Sequence, residues 1–143
     1  MKALIIDDER LARTELIRLL EPFKEIEVIG EAVNADDAHN KISELNPDVI
    51  FLDIQMPGKN GFELLEELDN VPKVIFTTAY DEYALKAFEF NALDYLLKPI
   101  EPSRLAESIK KLIEGRRKEK SHTLAQEILT ADDQVFVRDG DKC

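Results

Sequence analysis

Four consecutive apolar residues, Val49-Ile50-Phe51-Leu52, break off at a carboxylate, Asp53, and the chain then passes through Ile54-Gln55-Met56-Pro57-Gly58. An unbroken apolar run rich in β-branched residues predicts a strand buried on both faces, as in a parallel sheet. Pro-Gly predicts a turn directly after it. The same rhythm recurs along the chain. Ala3-Leu4-Ile5-Ile6 is a short buried strand ending at Asp7-Asp8, and Asp8 is placed to cap a first helix with Leu11, Leu16, Leu19 and Leu20 on one face. Val28 to Val33 reads as a second strand whose mixed composition suits a sheet edge. Asn34 or Asp36 caps a second helix carrying Ala38, Ile42 and Leu45, closed by Asn46-Pro47.

After the Asp53 strand, Gly58-Lys59-Asn60-Gly61 is a loop, and Phe62, Leu64, Leu65 and Leu68 mark a third helix. Lys73 to Thr77 is a fourth strand with Thr78-Ala79 at its end, and Asp81 to Phe90 a fourth helix. Leu93 to Leu97 is a fifth strand that stops at Lys98-Pro99. Leu105, Ile109, Leu112 and Ile113 fall at helical spacing in a fifth helix. Strand–helix alternation of this kind predicts an α/β fold, a parallel sheet with right-handed crossovers and helices on both faces. In the flavodoxin-like (βα)5 doubly wound arrangement, the five-stranded parallel sheet has the order 2-1-3-4-5.

The pattern changes at Gly115. Arg116, Arg117, Lys118 and Lys120 form a basic run, read as a solvated linker or an exposed helix, and Leu124, Ile128 and Leu129 suit continued helix or docking elsewhere. Gln134 to Lys142 then alternates like a strand entering a turn and stops without a partner strand. That places a domain at 1–118, a linker at 119–132 and the truncated start of another domain at 133–143.

With 143 residues, 44% hydrophobic and 34% charged, the chain suits one core under a well-solvated surface. The net charge of -11 argues against a nucleic-acid-binding surface on this segment. The single cysteine, Cys143, excludes an internal disulfide. No run approaches bilayer-spanning length, and Met1-Lys2-Ala3 leads straight into a strand, so a cytoplasmic protein without membrane contact is expected. His39, on a polar helix face, and His122, in the linker, read as solvated.

The chemistry lies at the strand ends. The first strand delivers Asp7 and Asp8 to one rim, the third Asp53, the fourth Thr78 and the fifth Lys98. Asp53 is either a turn cap or a reactive group displayed at a crevice. In the order 2-1-3-4-5 the first and third strands are neighbours at the switch point where ligands bind. Three carboxylates would then share one pocket. At about 4 Å and an effective dielectric near 20, each like-charged pair costs roughly 4 kcal/mol. Raised pKa values or a cation must offset that, and one lysine is insufficient for three acids. A hard divalent ion with oxygen ligands, Mg²⁺ first, is the natural resolution. Such a pocket suits phosphoryl chemistry: ionised Asp53 attacks, the metal and Lys98 neutralise the equatorial oxygens, and Thr78 offers a hydroxyl.

Ile6-Asp7-Asp8, Leu52-Asp53 with Met56-Pro57-Gly58, Thr78-Ala79 and Lys98-Pro99 resemble the receiver domain of bacterial two-component response regulators, over residues 1 to about 118. The resemblance implies that Asp53 is the phospho-acceptor from a sensor histidine kinase. It implies Mg²⁺ held by Asp8, Asp53 and the Gln55 backbone carbonyl, with Asp7 acting through a metal-bound water. Lys98 and Thr78 would contact the phosphoryl group, and Thr78 and Tyr95 would form a switch pair. Lys98-Pro99 would be cis. Gln55 and Tyr80 stand at positions that vary in that family and affect phosphoryl lifetime. Such a domain is a phosphorylation switch rather than an enzyme: it catalyses only its own phosphorylation and slow dephosphorylation. Its output would be a homodimer through the fourth helix, fifth strand and fifth helix.

A second resemblance covers Phe88 to Ile100, which is similar to receivers attached to LytTR-type DNA-binding domains, and Asp133 to Lys142, which resembles the opening strand of such a domain. It implies transcription control through a DNA-binding domain beyond the end of this chain. Two other readings compete. A Mg²⁺-dependent hydrolase of the haloacid-dehalogenase type also uses an Asp nucleophile, but it places a second carboxylate two residues on, where this chain has Gln55. A degenerate receiver that binds partners without phosphorylation sits poorly with the intact acidic set.

Overall fold

The computed structural model describes residues 1–132, with side chains described through residue 119. In chain order the elements are β1 (Lys2–Ile6), α1 (Arg10–Leu20), β2 (Glu27–Ala32), α2 (Ala35–Leu45), β3 (Val49–Asp53), α3 (Gly61–Glu67), β4 (Lys73–Thr78), α4 (Ala84–Glu89), β5 (Asp94–Leu97) and α5 (Pro102–Asp132). The five strands are parallel in the order β2-β1-β3-β4-β5, the flavodoxin-like topology expected from the alternation. One compact unit spans Met1–Ile109 and a second begins at Lys110.

β3 lies at the centre of the sheet, and each of its residues is buried, Asp53 included. Its apolar side chains alternate between the two faces, as the strand period requires. Leu4, Ile6, Ile50, Leu52, Val74 and Phe76 meet Ala38 and Ile42 of α2, Phe62, Leu64 and Leu65 of α3 and Ala87 of α4 in one cluster. Ala3, Ile5, Phe51 and Ile75 point the other way and are equally buried. α1 and the start of α5 contribute nothing to the first cluster and bring their own buried residues, Leu16, Leu20, Leu105 and Ile109. β2, at the edge, is only partly buried, in keeping with its mixed composition.

Local signals set the helix ends. Asn34 caps α2, its Oδ1 accepting from the Asp37 amide at 2.8 Å, and Asn46 ends it in the left-handed region at φ 50°. Asn60 and Glu63 form a reciprocal capping box at the start of α3.

Three expectations are corrected. Asp8 does not cap α1: the N-cap is Glu9, without a side-chain cap bond, and Asp7 rather than Asp8 accepts from the Glu9 amide, at 2.9 Å. Leu11 is 75% exposed, because the buried face of α1 runs through Arg13, Leu16 and Leu20. The fourth helix is not continuous from Asp81: a 3-10 turn at Asp81–Tyr83 precedes the six-residue α4. Beyond these, α5 continues through the basic run to Asp132. The strand expected from Gln134 onward lies outside the described residues.

At the other end of the sheet from β2, the start of α5 is tied to β5 by polar contacts. Arg104 forks onto Asp94, Nη2 to Oδ1 at 3.0 Å and Nη1 to Oδ2 at 3.3 Å, and the fully buried Ser108 hydroxyl donates to the same carboxylate. Burial alone would raise the Asp94 pKa. The hydrogen bonds from Arg104, Ser108 and the Tyr95 amide outweigh it, and the carboxyl is held below its ordinary value. Because the folded pKa is depressed, this stabilisation is present above the unfolded value of about 3.9 and is lost as pH falls through the folded one. Replacing Asp94 by Ala strands a buried hydroxyl and should cost about 1–3 kcal/mol at pH 7. Urea unfolding of wild type and variant should show that gap narrowing as the pH falls below about 4.

Candidate phosphoryl-transfer site

The sheet register builds the site. β1 and β3 pair in parallel with Ile6 opposite Leu52, so the next residues, Asp7 and Asp53, stand side by side at the carboxyl ends of the two strands. Oxygen atoms of Asp7, Asp8 and Asp53 all lie within 4.8 Å of one another. Asp7 and Asp53 are buried and Asp8 is exposed. On the far side, β4 and β5 pair with Thr78 opposite Leu97, and the next amide, that of Lys98, donates to the Thr78 carbonyl at 2.7 Å. The Lys98–Pro99 peptide is cis, as the sequence resemblance implied. From there the Lys98 ammonium reaches Asp7 Oδ2 at 2.7 Å and Asp53 Oδ1 at 3.7 Å. Four of the expected residues are therefore brought together across three strands.

The electrostatics follow from this crowding. Burial pushes the Asp53 carboxyl up to about 7; Lys98 pulls against that rise, while Asp7 and Asp8 add to it. Burial works against the Lys98 ammonium, but the Asp7 hydrogen bond and both nearby aspartates raise its pKa above the ordinary lysine value. Three acids share the pocket with a single ammonium that reaches two of them, Asp7 and Asp53, and leave it under-neutralised. Hard carboxylate oxygens in that number, facing one another, fit a hard divalent cation such as Mg²⁺.

The remaining expected residues flank this cluster. Thr78 is fully buried, and its Oγ1 accepts from the Tyr80 amide at 3.2 Å. The Tyr95 hydroxyl donates to the Tyr80 carbonyl. The backbone of Tyr80 thus stands between the two side chains, its amide on Thr78 and its carbonyl on Tyr95. Gln55, two residues beyond Asp53, is exposed, and its Nε2 donates to the Tyr83 hydroxyl at 2.8 Å. Tyr83 packs edge-on against Phe62, centroids 6.0 Å apart, and so ties the loop after β3 to the turn before α4. An open cleft of about 430 Å³, lined by Ile54, Gln55, Met56, Asn60 and Tyr83 among others, lies beside the site.

Two supporting residues were missed in the sequence. Arg13 is buried, and its Nη1 donates to the Asp7 carbonyl at 2.8 Å. Its place three residues before Leu16 and seven before Leu20, on the apolar stripe, was the available signal. Gly61 returns the chain against β3: its amide donates to the Ile54 carbonyl at 2.8 Å. A Cβ there would lie 2.8 Å from the Asp53 carbonyl oxygen and 3.2 Å from the Ile54 Cα. The Asn60-Gly61 pair was legible only as a loop.

An α/β domain of this topology, with acidic groups and a lysine gathered at the carboxyl ends of its strands, is a ligand-binding switch-point architecture. Residues 3–110 match the family model of the response regulator receiver domain, and the chain belongs to that family. It is 53% identical over 128 residues to an uncharacterized response regulatory protein of Vibrio cholerae, covering 88% of this chain and 54% of that protein. It is 47% identical to the sensory transduction protein LytT of Bacillus anthracis, over 92% of this chain and 54% of that one. Against the transcriptional regulatory protein BtsR of Escherichia coli K12 the identity is 47%, over 83% and 51%. The chain thus spans about half the length of the curated relatives it matches. Among solved structures, the response regulatory domain of protein mrkE from Klebsiella pneumoniae superposes with a TM-score of 0.75 at 34% identity, covering 82% of this chain and 99% of that one. Receiver domains interact with histidine kinases and generally bind Mg²⁺ at an acidic site. Among the described residues, no helix is long and apolar enough to cross a membrane.

The close approach at Gly61 makes a direct expectation. Gly61→Ala forces a Cβ against backbone that cannot yield as a side-chain tip does, so the strand end carrying Asp53 must shift. Stability should fall by about 1–3 kcal/mol. The initial rate of phosphorylation by acetyl phosphate should drop as well, at a temperature where circular dichroism shows the variant folded.

Proposed function

We propose that this chain accepts a phosphoryl group on Asp53 from a phosphohistidine donor and uses it to change its association state. The observation that carries the reading is the three-carboxylate cluster within 4.8 Å, closed by Lys98. An Asp53 Oδ–P bond forms as the donor's N–P bond breaks, and the donor imidazole leaves. Asp8, Asp53 and the Gln55 carbonyl would hold Mg²⁺ directly, with Asp7 acting through a bound water. The ion, when bound, supplies positive charge that stabilises the phosphoryl oxygens. Asp7 keeps Lys98 beside Asp53, from where the ammonium meets one phosphoryl oxygen. Thr78 gives up the Tyr80 amide to donate its hydroxyl to another. The only catalysis proposed is this self-phosphorylation and its slow reversal by water.

The Tyr80 peptide supports Thr78 and Tyr95 as the switch pair, because a Thr78 that turns to the phosphoryl group releases the segment to which Tyr95 is bonded. The face formed by α4, β5 and the start of α5 then becomes the dimer surface. Leu85 and Phe88 on α4 are each 81% exposed, which supplies its apolar part. We take residues 1–118 as the phospho-acceptor domain and 119–132 as the connection to a LytTR-type DNA-binding domain whose first residues are 133–143. The names of the LytT and BtsR relatives support that output, as does their length, about twice the matched region.

Incubation with acetyl phosphate and Mg²⁺ should add one phosphate, read by intact-protein mass spectrometry. Asp53→Asn should add none, and chelation of Mg²⁺ should abolish the gain. Phosphate uptake by Asp53→Asn at the wild-type rate would remove the assignment. Beryllofluoride, which stands in for the phosphoryl group, should shift the sedimentation coefficient toward a dimer. Phe88→Arg should suppress that shift while leaving phosphate uptake intact. Sedimentation unchanged by beryllofluoride would sink the dimer switch.

A further inference from the structure

The corner that carries Asp7 and Asp8 is held from below by an arginine that the phosphoryl chemistry does not use. Arg13 is only 9% exposed, on the face of α1 that otherwise buries Leu16 and Leu20. Its guanidinium makes two directed bonds, Nη1 to the Asp7 carbonyl at 2.8 Å and Nε to Glu31 Oε1 at 2.9 Å. The Asp7 amide is bound on the opposite side, to the Ala32 carbonyl at 3.1 Å. The Asp7 carboxylate is itself fixed at both oxygens, by the Glu9 amide at 2.9 Å and the Lys98 ammonium at 2.7 Å. Asp8, which follows the gripped carbonyl, is the exposed member of the cluster.

We propose that Arg13 is a positioning residue for the acidic pocket, a two-point brace between β2 and the Asp7 carbonyl that sets the Asp7-Asp8 corner in its cation-binding arrangement. The proposal rests on the reading of this pocket as a divalent-cation site. A buried cation fixed by two bonds is a costly way to join α1 to β2, since burial of a charge is unfavourable unless its partners are well placed. The peptide it grips belongs to the pocket, and the groups around a metal's ligands set ligand direction and hence affinity.

Two simpler roles give different signatures. If Arg13 only ties α1 to β2, its loss lowers stability and leaves cation affinity alone. If it acts only through its charge, removal relieves repulsion and cation binding tightens. Arg13→Lys separates these roles from the brace, because one ammonium keeps the charge but cannot reproduce the planar two-point geometry.

The test is calorimetric titration of Mg²⁺ into the 143-residue chain without any phosphoryl donor, at a temperature where each variant is folded by circular dichroism. Arg13→Lys and Arg13→Met should both weaken Mg²⁺ binding roughly tenfold. Wild-type affinity in Arg13→Lys, or tighter binding in Arg13→Met, overturns the proposal. Should the Arg13 variants fail to fold, Glu31→Ala removes the brace's outer anchor from an exposed position. It should weaken binding by about threefold, a partial loss of the same orienting effect, and unchanged affinity there overturns the proposal equally. Asp8→Asn serves as the control on the site itself. If wild type shows no Mg²⁺ heat, or Asp8→Asn leaves it intact, the cation-site reading fails, and the brace fails with it. Weak binding in Asp8→Asn with wild-type binding in Arg13→Lys removes the brace alone.

Discussion

The rest of this structure depends on one electrostatic constraint: three carboxylates held within 4.8 Å at the carboxyl ends of two adjacent strands. Such crowding is unfavourable in a buried setting unless opposite charge is supplied and each oxygen is directed. The fold supplies both from a distance in sequence. Lys98 comes from beyond β5, two strands away from β3, and can arrive only if β4 and β5 add to the sheet in order. The tie between Asp94, Arg104 and Ser108 keeps β5 and the start of α5 together, and so indirectly fixes where Lys98 emerges.

Around that rigid centre, the elements nearest the proposed output are weakly held. α4 is six residues long, Ala87 is its one buried residue, and Leu85 and Phe88 face solvent. Segments with few buried apolar contacts open at low free energy, and moving parts are drawn from them. Among the described residues, the polar ties of this region include Tyr80 to Thr78 and Tyr95 through its own backbone, and Gln55 to Tyr83. The acidic site thus borders a short helix with a single buried residue.

What the sequence made legible was whatever a run or a charge announces locally. The unbroken apolar strands, the carboxylates at their ends and the Lys98-Pro99 stop placed the sheet order and four members of the site, because a buried parallel strand has no other reading as simple. Asp8 was misread as a cap because Asp, at the end of a strand and before a helix, serves either purpose; which of two adjacent acids turns back to the helix depends on tertiary bonds. Leu11 was misplaced for a related reason. Leucine suggests the buried face, but Arg13 occupies that face instead, and a polar residue on an apolar stripe is legible only once its partners, Glu31 and the Asp7 carbonyl, are known. Gly61 carries no signature of its close approach to the Asp53 carbonyl, since an Asn-Gly pair also suits an ordinary turn.

The energy needed by the proposed switch limits where it can originate. Moving a population from 1:99 to 99:1 takes about 5.5 kcal/mol of differential stabilisation. A few charge-assisted hydrogen bonds of about 1.5–3 kcal/mol each, formed to a dianionic phosphoryl group, suffice for that. A single tyrosine ring changing rotamer does not. In the proposed switch the energy would therefore belong to the acidic pocket, Lys98 and Thr78, and Tyr95 would only transmit it. Transmission in turn would require that breaking the hydrogen bond from the Tyr80 amide to the Thr78 hydroxyl disturb something loosely held. The 3-10 turn at Asp81–Tyr83 and the short α4 that follow Tyr80 meet that requirement, where a long helix buried along one face would not.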